Sequence, residues 1–194
     1  MDSREIENSL RGRLGPNIHY KGIFTSDMLP IIRYNTKPVI IIANTLNSRA
    51  DVSTLGHWVA FYISFNPKPY LLFFDSYGFN PHFYSSDFSR WLEFYSNFQT
   101  QEFGQQIQPD TSIKCGLYVI HFTHYISYFG VEKYKFFFSH KFSNRKLVQN
   151  DRVVCTYFFT RVMKKNTCSQ WKSRKRRNMN AITYKDCLRY KRYV

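Results

Sequence analysis

The spacing of apolar residues predicts a short helix followed by a strand near the start of the chain. Apolar side chains recur at fourfold spacing over residues 3–14, which is typical of an amphipathic helix with Ser3 as its N-cap. Residues 38–44 (PVIIIAN) are dominated by β-branched side chains and end in a polar residue. This pattern predicts a buried strand.

Two further apolar runs, at residues 57–65 and 70–75, flank the turn segment Asn66-Pro-Lys-Pro69. Proline has no backbone N–H to donate to a strand ladder, so the prolines separate the two runs and predict a hairpin or meander. Because such strands are antiparallel, the start of the first lies beside the end of the second.

The second half of the chain is patterned for helices. Apolar residues at helical spacing predict an amphipathic helix over residues 85–98, and residues 115–129 are apolar or aromatic on all sides, as in a helix buried at the centre of a domain. Residues 145–162 predict another helix. Strands followed by helices indicate the α+β class.

Charge divides the chain into two parts. The 194 residues carry a net charge of +15, and residues 161–194 alone account for +11, with Asp186 as their single acid. We therefore expect one domain over residues 1–165 and a basic tail over residues 166–194. The tail predicts a DNA contact or a nuclear-import signal through its densest block, formed by Lys172, Arg174, Lys175, Arg176 and Arg177.

Other features bear on the compartment. The first ten residues contain acids where a secretion signal needs a basic and then an apolar run, and no apolar run is long enough to span a bilayer. The four cysteines form no CxxC pair, which favours a reducing intracellular compartment. We expect no membrane association and a monomer.

Cys115 is placed as a nucleophile. It follows turn-forming residues and begins the apolar run, so the free N–H groups of a helix's first turn would stabilise its thiolate. His57, at the start of a predicted strand, can act as the base, and Asp75, at the end of the next strand, can orient the imidazole. Gln108 can donate its amide to an oxyanion, although Gln105 and Gln106 compete for that role.

Three motifs carrying these residues together resemble the adenovirus protease (adenain) family of cysteine endopeptidases, which is related to the ubiquitin-like-protein-specific proteases. They are GHWVAF at residues 56–61, FDSYGF at residues 74–79 and QPDTSIKCGLY at residues 108–118, preceded by IANT at residues 42–45. The resemblance covers roughly residues 18–130 in order and spacing. It implies a central mixed β-sheet packed by helices, with the nucleophile at the N-terminus of a buried helix.

The resemblance also implies Cys115 as nucleophile, His57 as base, Asp75 as its orienter and Gln108 as oxyanion donor. It implies cleavage after glycine at Gly-Gly or Gly-x sites in viral capsid or core precursors, in the host nucleus or the virion, for a chain from a DNA virus or virus-like element. Gly56, Trp58 and Gly116 would line the substrate cleft.

Two departures from the family pattern matter. Adenain commonly has Glu where this chain has Asp75, as in the ubiquitin-like-protein proteases. Adenain is activated by DNA and by a viral peptide attached through a cysteine that precedes the nucleophile. Residues 1–114 contain no cysteine, so DNA or a noncovalent peptide is the activator to expect. We expect no cofactor.

Other interpretations remain open at this level. The same four residues could serve a protease that removes ubiquitin-like modifiers from host proteins, or the chain could be a DNA-binding structural or packaging protein with an inactive protease-like body. His121 and His124 with Cys115 would give a metal three ligands at most, on an apolar helix, which favours core histidines.

Overall fold

The computed structural model describes residues 1–51, 54 and 56–163. The basic tail, with Lys172, Arg174, Lys175, Arg176 and Arg177, lies outside the described residues, as does the expected domain boundary after residue 165. Cys168 and Cys187 lie there too.

The described residues form a mixed α and β fold, which confirms the predicted α+β class. The five strands are β1 (His19–Phe24), β2 (Val39–Asn44), β3 (Trp58–Ser64), β4 (Tyr70–Phe74) and β5 (Gln99–Glu102). The six α-helices are α1 (Ser3–Leu10), α2 (Pro81–Tyr84), α3 (Ser86–Leu92), α4 (Cys115–Phe129), α5 (Val131–Lys141) and α6 (Leu147–Tyr157). Short 3-10 turns cover Ser26–Met28 and Glu93–Tyr95, and a π turn covers Phe158–Val162.

The strands form one sheet in the order β1-β2-β3-β4-β5. The three central strands are antiparallel, and the pairing of β3 with β4 is the one that the proline-containing turn predicts, whereas β1 and β5 lie parallel to their neighbours at the two edges. Ala60 pairs with Phe74 in the β3 and β4 ladder. The sheet therefore brings the start of β3 and the end of β4 to the same end.

Both faces of the sheet are covered. One face carries Ala60, Leu72 and Phe74 against the central helix α4, and the other carries Phe61 and Phe73 against α3. Phe74 of β4 stacks on Phe122 of α4 with ring centroids 4.5 Å apart. This packing fixes the depth of α4 relative to the sheet.

Helix α4 has the predicted bounds, and eleven of its fifteen residues are buried. The first helix is four residues shorter than predicted, and its N-cap is Asp2, not Ser3. Asp2 accepts the Glu5 backbone N–H, and the Glu5 side chain accepts that of Asp2. The predicted helix over residues 85–98 is α3 followed by a 3-10 turn, and the one over residues 145–162 is α6 followed by a π turn.

Sequence patterning missed four of the strands and helices in the described residues. Strand β1 contains Gly22 at a positive φ beside a register shift, which obscures its alternation. Strand β5 has four exposed polar residues, so the backbone ladder with β4 defines it. Helices α2 and α5 were also missed. Among the described residues, no helix has the length and apolar character needed to cross a membrane.

Candidate active site

His57 and Asp75 meet at one end of the sheet. His57 directly precedes β3 and Asp75 directly follows β4, and the His57 Nε2 atom lies 2.6 Å from Asp75 Oδ1. Both residues are buried. Thr45, in the motif upstream of the histidine, holds the His57 backbone through bonds to both its N–H and its C=O. The predicted contact between base and orienter is therefore present.

The Asp75 carboxylate accepts hydrogen bonds at both oxygens. In addition to His57, Oδ1 accepts the Tyr77 backbone N–H, while Oδ2 accepts the Phe79 backbone N–H and the Tyr84 hydroxyl at 2.9 and 2.7 Å. Four donors leave the carboxylate little freedom to rotate. Asp75 consequently presents a fixed acceptor to the imidazole.

Cys115 is the first residue of α4 and is partly exposed. Burial raises the pKa of its thiol. The hydrogen bond and charge of His57 and the backbone N–H groups of Trp58 and Gly116 lower this pKa by more in total, so the net shift is downward. Because Nε2 of His57 faces Asp75, Nδ1 is the nitrogen left for the thiol. The local environment thus favours the thiolate.

The pKa of His57 moves in the opposite direction. Burial lowers it, but the hydrogen bonds and charges of Asp75 and Cys115 raise it more, so the net shift is upward. A lowered thiol pKa beside a raised imidazole pKa favours a thiolate and imidazolium pair at neutral pH. This pair is the reactive form of a thiol nucleophile.

Two tyrosine rings lie against His57. Tyr77 stacks on the imidazole with centroids 4.4 Å apart, and Tyr84 lies nearly parallel to it at 5.6 Å. An aromatic face attracts a cation, so these rings stabilise the imidazolium and exclude water from it. Sequence patterning assigns no role to Tyr77 or Tyr84, because nothing in their spacing shows that they converge on His57.

Gln108 is fully buried in the loop before Cys115. Its Oε1 accepts the Ser76 hydroxyl at 2.6 Å, and its Nε2 donates to the Ser112 carbonyl at 2.6 Å and to the Tyr77 hydroxyl at 3.2 Å. Both amide hydrogens are thus already donated, one within the loop and the other, in the longer bond, to the tyrosine whose ring covers His57. Its donation to an oxyanion stays a prediction.

The two competing glutamines lie in the same loop. Gln106 donates its amide to the Gln108 carbonyl and to Asp110, so it supports the loop from outside. The backbone of Gln105 packs against Gly78, where a Cβ would come within 2.6 Å of the Gln105 carbonyl carbon. These contacts favour Gln108, the buried member, as the residue that reaches towards the base.

Met1 fills the space expected for a substrate beside Gly116. A Cβ at Gly116 would lie 2.9 Å from the Met1 sulfur, and the indole Nε1 of Trp58 donates to the Met1 carbonyl at 3.0 Å. Gly56 packs against the Asn44 side chain, which a Cβ would overlap. Of the three predicted cleft residues, Trp58 and Gly116 thus lie together, and both contact Met1. No sequence signal pointed to Met1.

The two histidines of α4 are core residues. His121 and His124 are buried, and His124 Nδ1 lies 2.9 Å from the Tyr157 hydroxyl. Burial lowers the pKa of His121 to about 3, so it is neutral. In the part of the chain that the structure describes, no group of three metal-ligating side chains converges. Cys155 is buried in the core.

No protein-family model matches the chain, and no curated protein matches it either.

Proposed function

We propose that the chain is a cysteine endopeptidase of the adenain type. The observation that carries the proposal is the convergence of Cys115, His57 and Asp75 from a helix start, a strand start and a strand end. A partly exposed thiol with a lowered pKa beside a buried, oriented imidazole suits nucleophilic catalysis and has no structural purpose that a smaller apolar residue would not serve.

The proposed reaction follows from these positions. The Cys115 thiolate adds to the peptide carbonyl, and the backbone N–H groups at the start of α4 stabilise the oxyanion, together with the Gln108 amide once it gives up its longer bond to the Tyr77 hydroxyl. Imidazolium His57 then gives its proton to the leaving amine, which leaves a thioester. Neutral His57 next takes a proton from water, whose oxygen attacks the thioester and releases the acid and Cys115.

The substrate proposal rests on the family resemblance. We infer cleavage after glycine, at Gly-Gly or Gly-x sites, in viral capsid or core precursors inside the nucleus or the virion. The basic tail would hold the enzyme on packaged DNA and raise the local concentration of substrate around it.

The test is cleavage of a fluorogenic peptide ending in Leu-x-Gly-Gly by wild type and by Cys115→Ala, with and without double-stranded DNA at low salt. Cleavage by wild type alone supports the protease, and stimulation by DNA supports the role of the tail. A fully active Cys115→Ala protein would overturn the proposal. If no peptide is cleaved, labelling of Cys115 by a glycyl vinyl ester distinguishes a missing peptide activator from an inactive body that only binds DNA.

One observation favours a related substrate. The ubiquitin-like-protein proteases use an aspartate at the position of Asp75. In this chain the shorter aspartate side chain accepts all four hydrogen bonds of the site. The cleavage assay therefore includes a ubiquitin-like modifier fused through its terminal Gly-Gly to a reporter, next to a viral precursor peptide. Preference for the fusion would reassign the enzyme to modifier removal.

A further inference from the structure

A buried carboxylate on α6 binds the chain on both sides of the nucleophile. Asp151 Oδ2 accepts the Ser112 hydroxyl at 2.9 Å and the Lys114 ammonium at 3.0 Å, and Oδ1 accepts the Tyr118 hydroxyl at 2.9 Å. Ser112 and Lys114 precede Cys115, whereas Tyr118 follows it by one helical turn. The three donors come from the segment that presents the thiol.

The same network continues to the predicted oxyanion donor. The Ser112 carbonyl accepts the Gln108 amide at 2.6 Å and the Tyr77 hydroxyl at 3.3 Å, so Ser112 joins Asp151 to Gln108. Asn150, the preceding residue of α6, donates to the Ile107 carbonyl at 2.9 Å. Two consecutive residues of α6 therefore hold both ends of the loop over residues 107–114.

Burial separates this network from an ordinary surface contact. The side chains of Lys114 and Asp151 are 8% and 9% exposed, with an N to O distance of 3.0 Å, whereas Lys135 and Glu132 form a pair of the same length with 27% and 79% exposure. Taking two charges out of water is costly, so a buried pair needs further donors, which Ser112 and Tyr118 provide. A fold needs no such pair at its nucleophile for stability alone.

We propose that Asp151 is a positioning residue, which fixes the 107–114 loop and with it the Gln108 amide and the Cys115 backbone N–H, the two groups proposed to bind the oxyanion. The proposal rests on the proposed thiol chemistry but not on the substrate being a glycine-containing peptide. Asp151 acts through Ser112 and Lys114 and touches neither the thiol nor His57 in the hydrogen bonds described. Its effect should therefore fall on carbonyl addition and not on formation of the thiolate.

Two reactions of Cys115 separate these effects. Acylation by N-acetylglycine p-nitrophenyl ester forms a C–S bond through an oxyanion and releases p-nitrophenolate. Alkylation by iodoacetamide forms a C–S bond by direct displacement of iodide, without an oxyanion. The ratio of the two rates therefore reports the positioning of the oxyanion donors at constant thiolate reactivity.

We expect Asp151→Asn to slow acylation about tenfold or more, since misplaced oxyanion donors lose transition-state stabilisation. Alkylation and its pH dependence should stay at the wild-type values. Ser112→Ala should change the ratio in the same direction, and Glu132→Gln, which breaks the exposed pair of equal length, should leave both rates unchanged. Ser112→Ala decides the question if Asp151→Asn does not fold.

The opposite results are equally clear. An unchanged ratio of acylation to alkylation in a folded Asp151→Asn or Ser112→Ala protein overturns the proposal. An equal fall in both rates also overturns it, because the network would then serve formation of the thiolate or folding. Wild type that reacts with the ester but cleaves no peptide would contradict the proposed endopeptidase, and the ratio would still decide the role of Asp151.

Discussion

Replacing Asp75 by asparagine should uncouple the base from the nucleophile. Asparagine keeps one acceptor oxygen and replaces the other with an NH₂ group. In one orientation this NH₂ group faces His57, and in the other it faces the Phe79 N–H and the Tyr84 hydroxyl, which donate to the carboxylate in wild type. The imidazole loses a charged partner in either orientation. Its neutral form, and with it the neutral thiol of Cys115, should become favoured.

The size of the effect follows from the protonation of His57. Its pKa is raised from 6.5 to about 9, which at about 1.4 kcal/mol per tenfold change in the equilibrium amounts to roughly 3 kcal/mol in favour of imidazolium. A hydrogen bond to a charged partner contributes about 1.5–3 kcal/mol, so losing that of Asp75 should lower the pKa of His57 by about 1 to 2. The equilibrium constant between the thiolate–imidazolium pair and the neutral pair should fall about 10-fold to 100-fold by the same arithmetic.

The assay is the rate of Cys115 alkylation by iodoacetamide against pH, with Cys115→Ala as the blank. In wild type the thiolate should persist below the ordinary thiol pKa of 9.0 because the Cys115 pKa is lowered. In Asp75→Asn the acid limb should move to higher pH and peptide cleavage should fall in parallel.

A matched control is Asp27→Asn, which alters an exposed carboxylate that also accepts hydrogen bonds, from Thr25 and Ser48. The Asp27→Asn protein should show the same dependence of alkylation rate on pH as wild type. If a folded Asp75→Asn protein gave the same profile as wild type, the assignment of Asp75 as the partner that stabilises imidazolium would be wrong.

Three further changes test other parts of the structure. Gly78→Ala forces a side chain into φ +78 and to 2.6 Å from the Gln105 backbone, so urea unfolding should show a loss of at least about 1–2 kcal/mol, and cleavage should fall as the loop moves. Phe122→Ala removes the ring stacked on Phe74 and should cost about 3–5 kcal/mol by the same measurement. Tyr84→Phe removes one donor to Asp75 but keeps the ring, so cleavage should fall by less than in Asp75→Asn; an equal loss would contradict this.

Local patterning predicted the elements that are defined by their own side chains. Residues 115–129 are apolar on every side, and α4 has these bounds because such a run is stable only when buried. The proline turn similarly predicted the antiparallel pair that brings His57 to Asp75. By contrast, β5 has no apolar side chain, and only its ladder with β4 defines it.

The parts of the site that sequence reasoning missed depend on contacts between distant elements. Tyr84 reaches Asp75 from α2, and Asp151 reaches Ser112 from α6, over separations of 9 and 39 residues. No periodicity encodes such distances, because they are set by how the helices dock on the sheet. Met1 reached the predicted cleft for the same reason, through the packing of α1 on α4.

The position of His57 and Asp75 at the ends of paired strands limits how this site can decay during evolution. A slip of β4 by one residue along β3 would bring Phe74 or Ser76 to the imidazole, and it would also move the β4 side chains to the opposite faces of the sheet, taking Phe73 from the α3 side to the α4 side. Any descendant that still folds must keep the two backbones aligned. An inactive relative should therefore retain this alignment and differ by substitution of a site side chain, most simply Cys115.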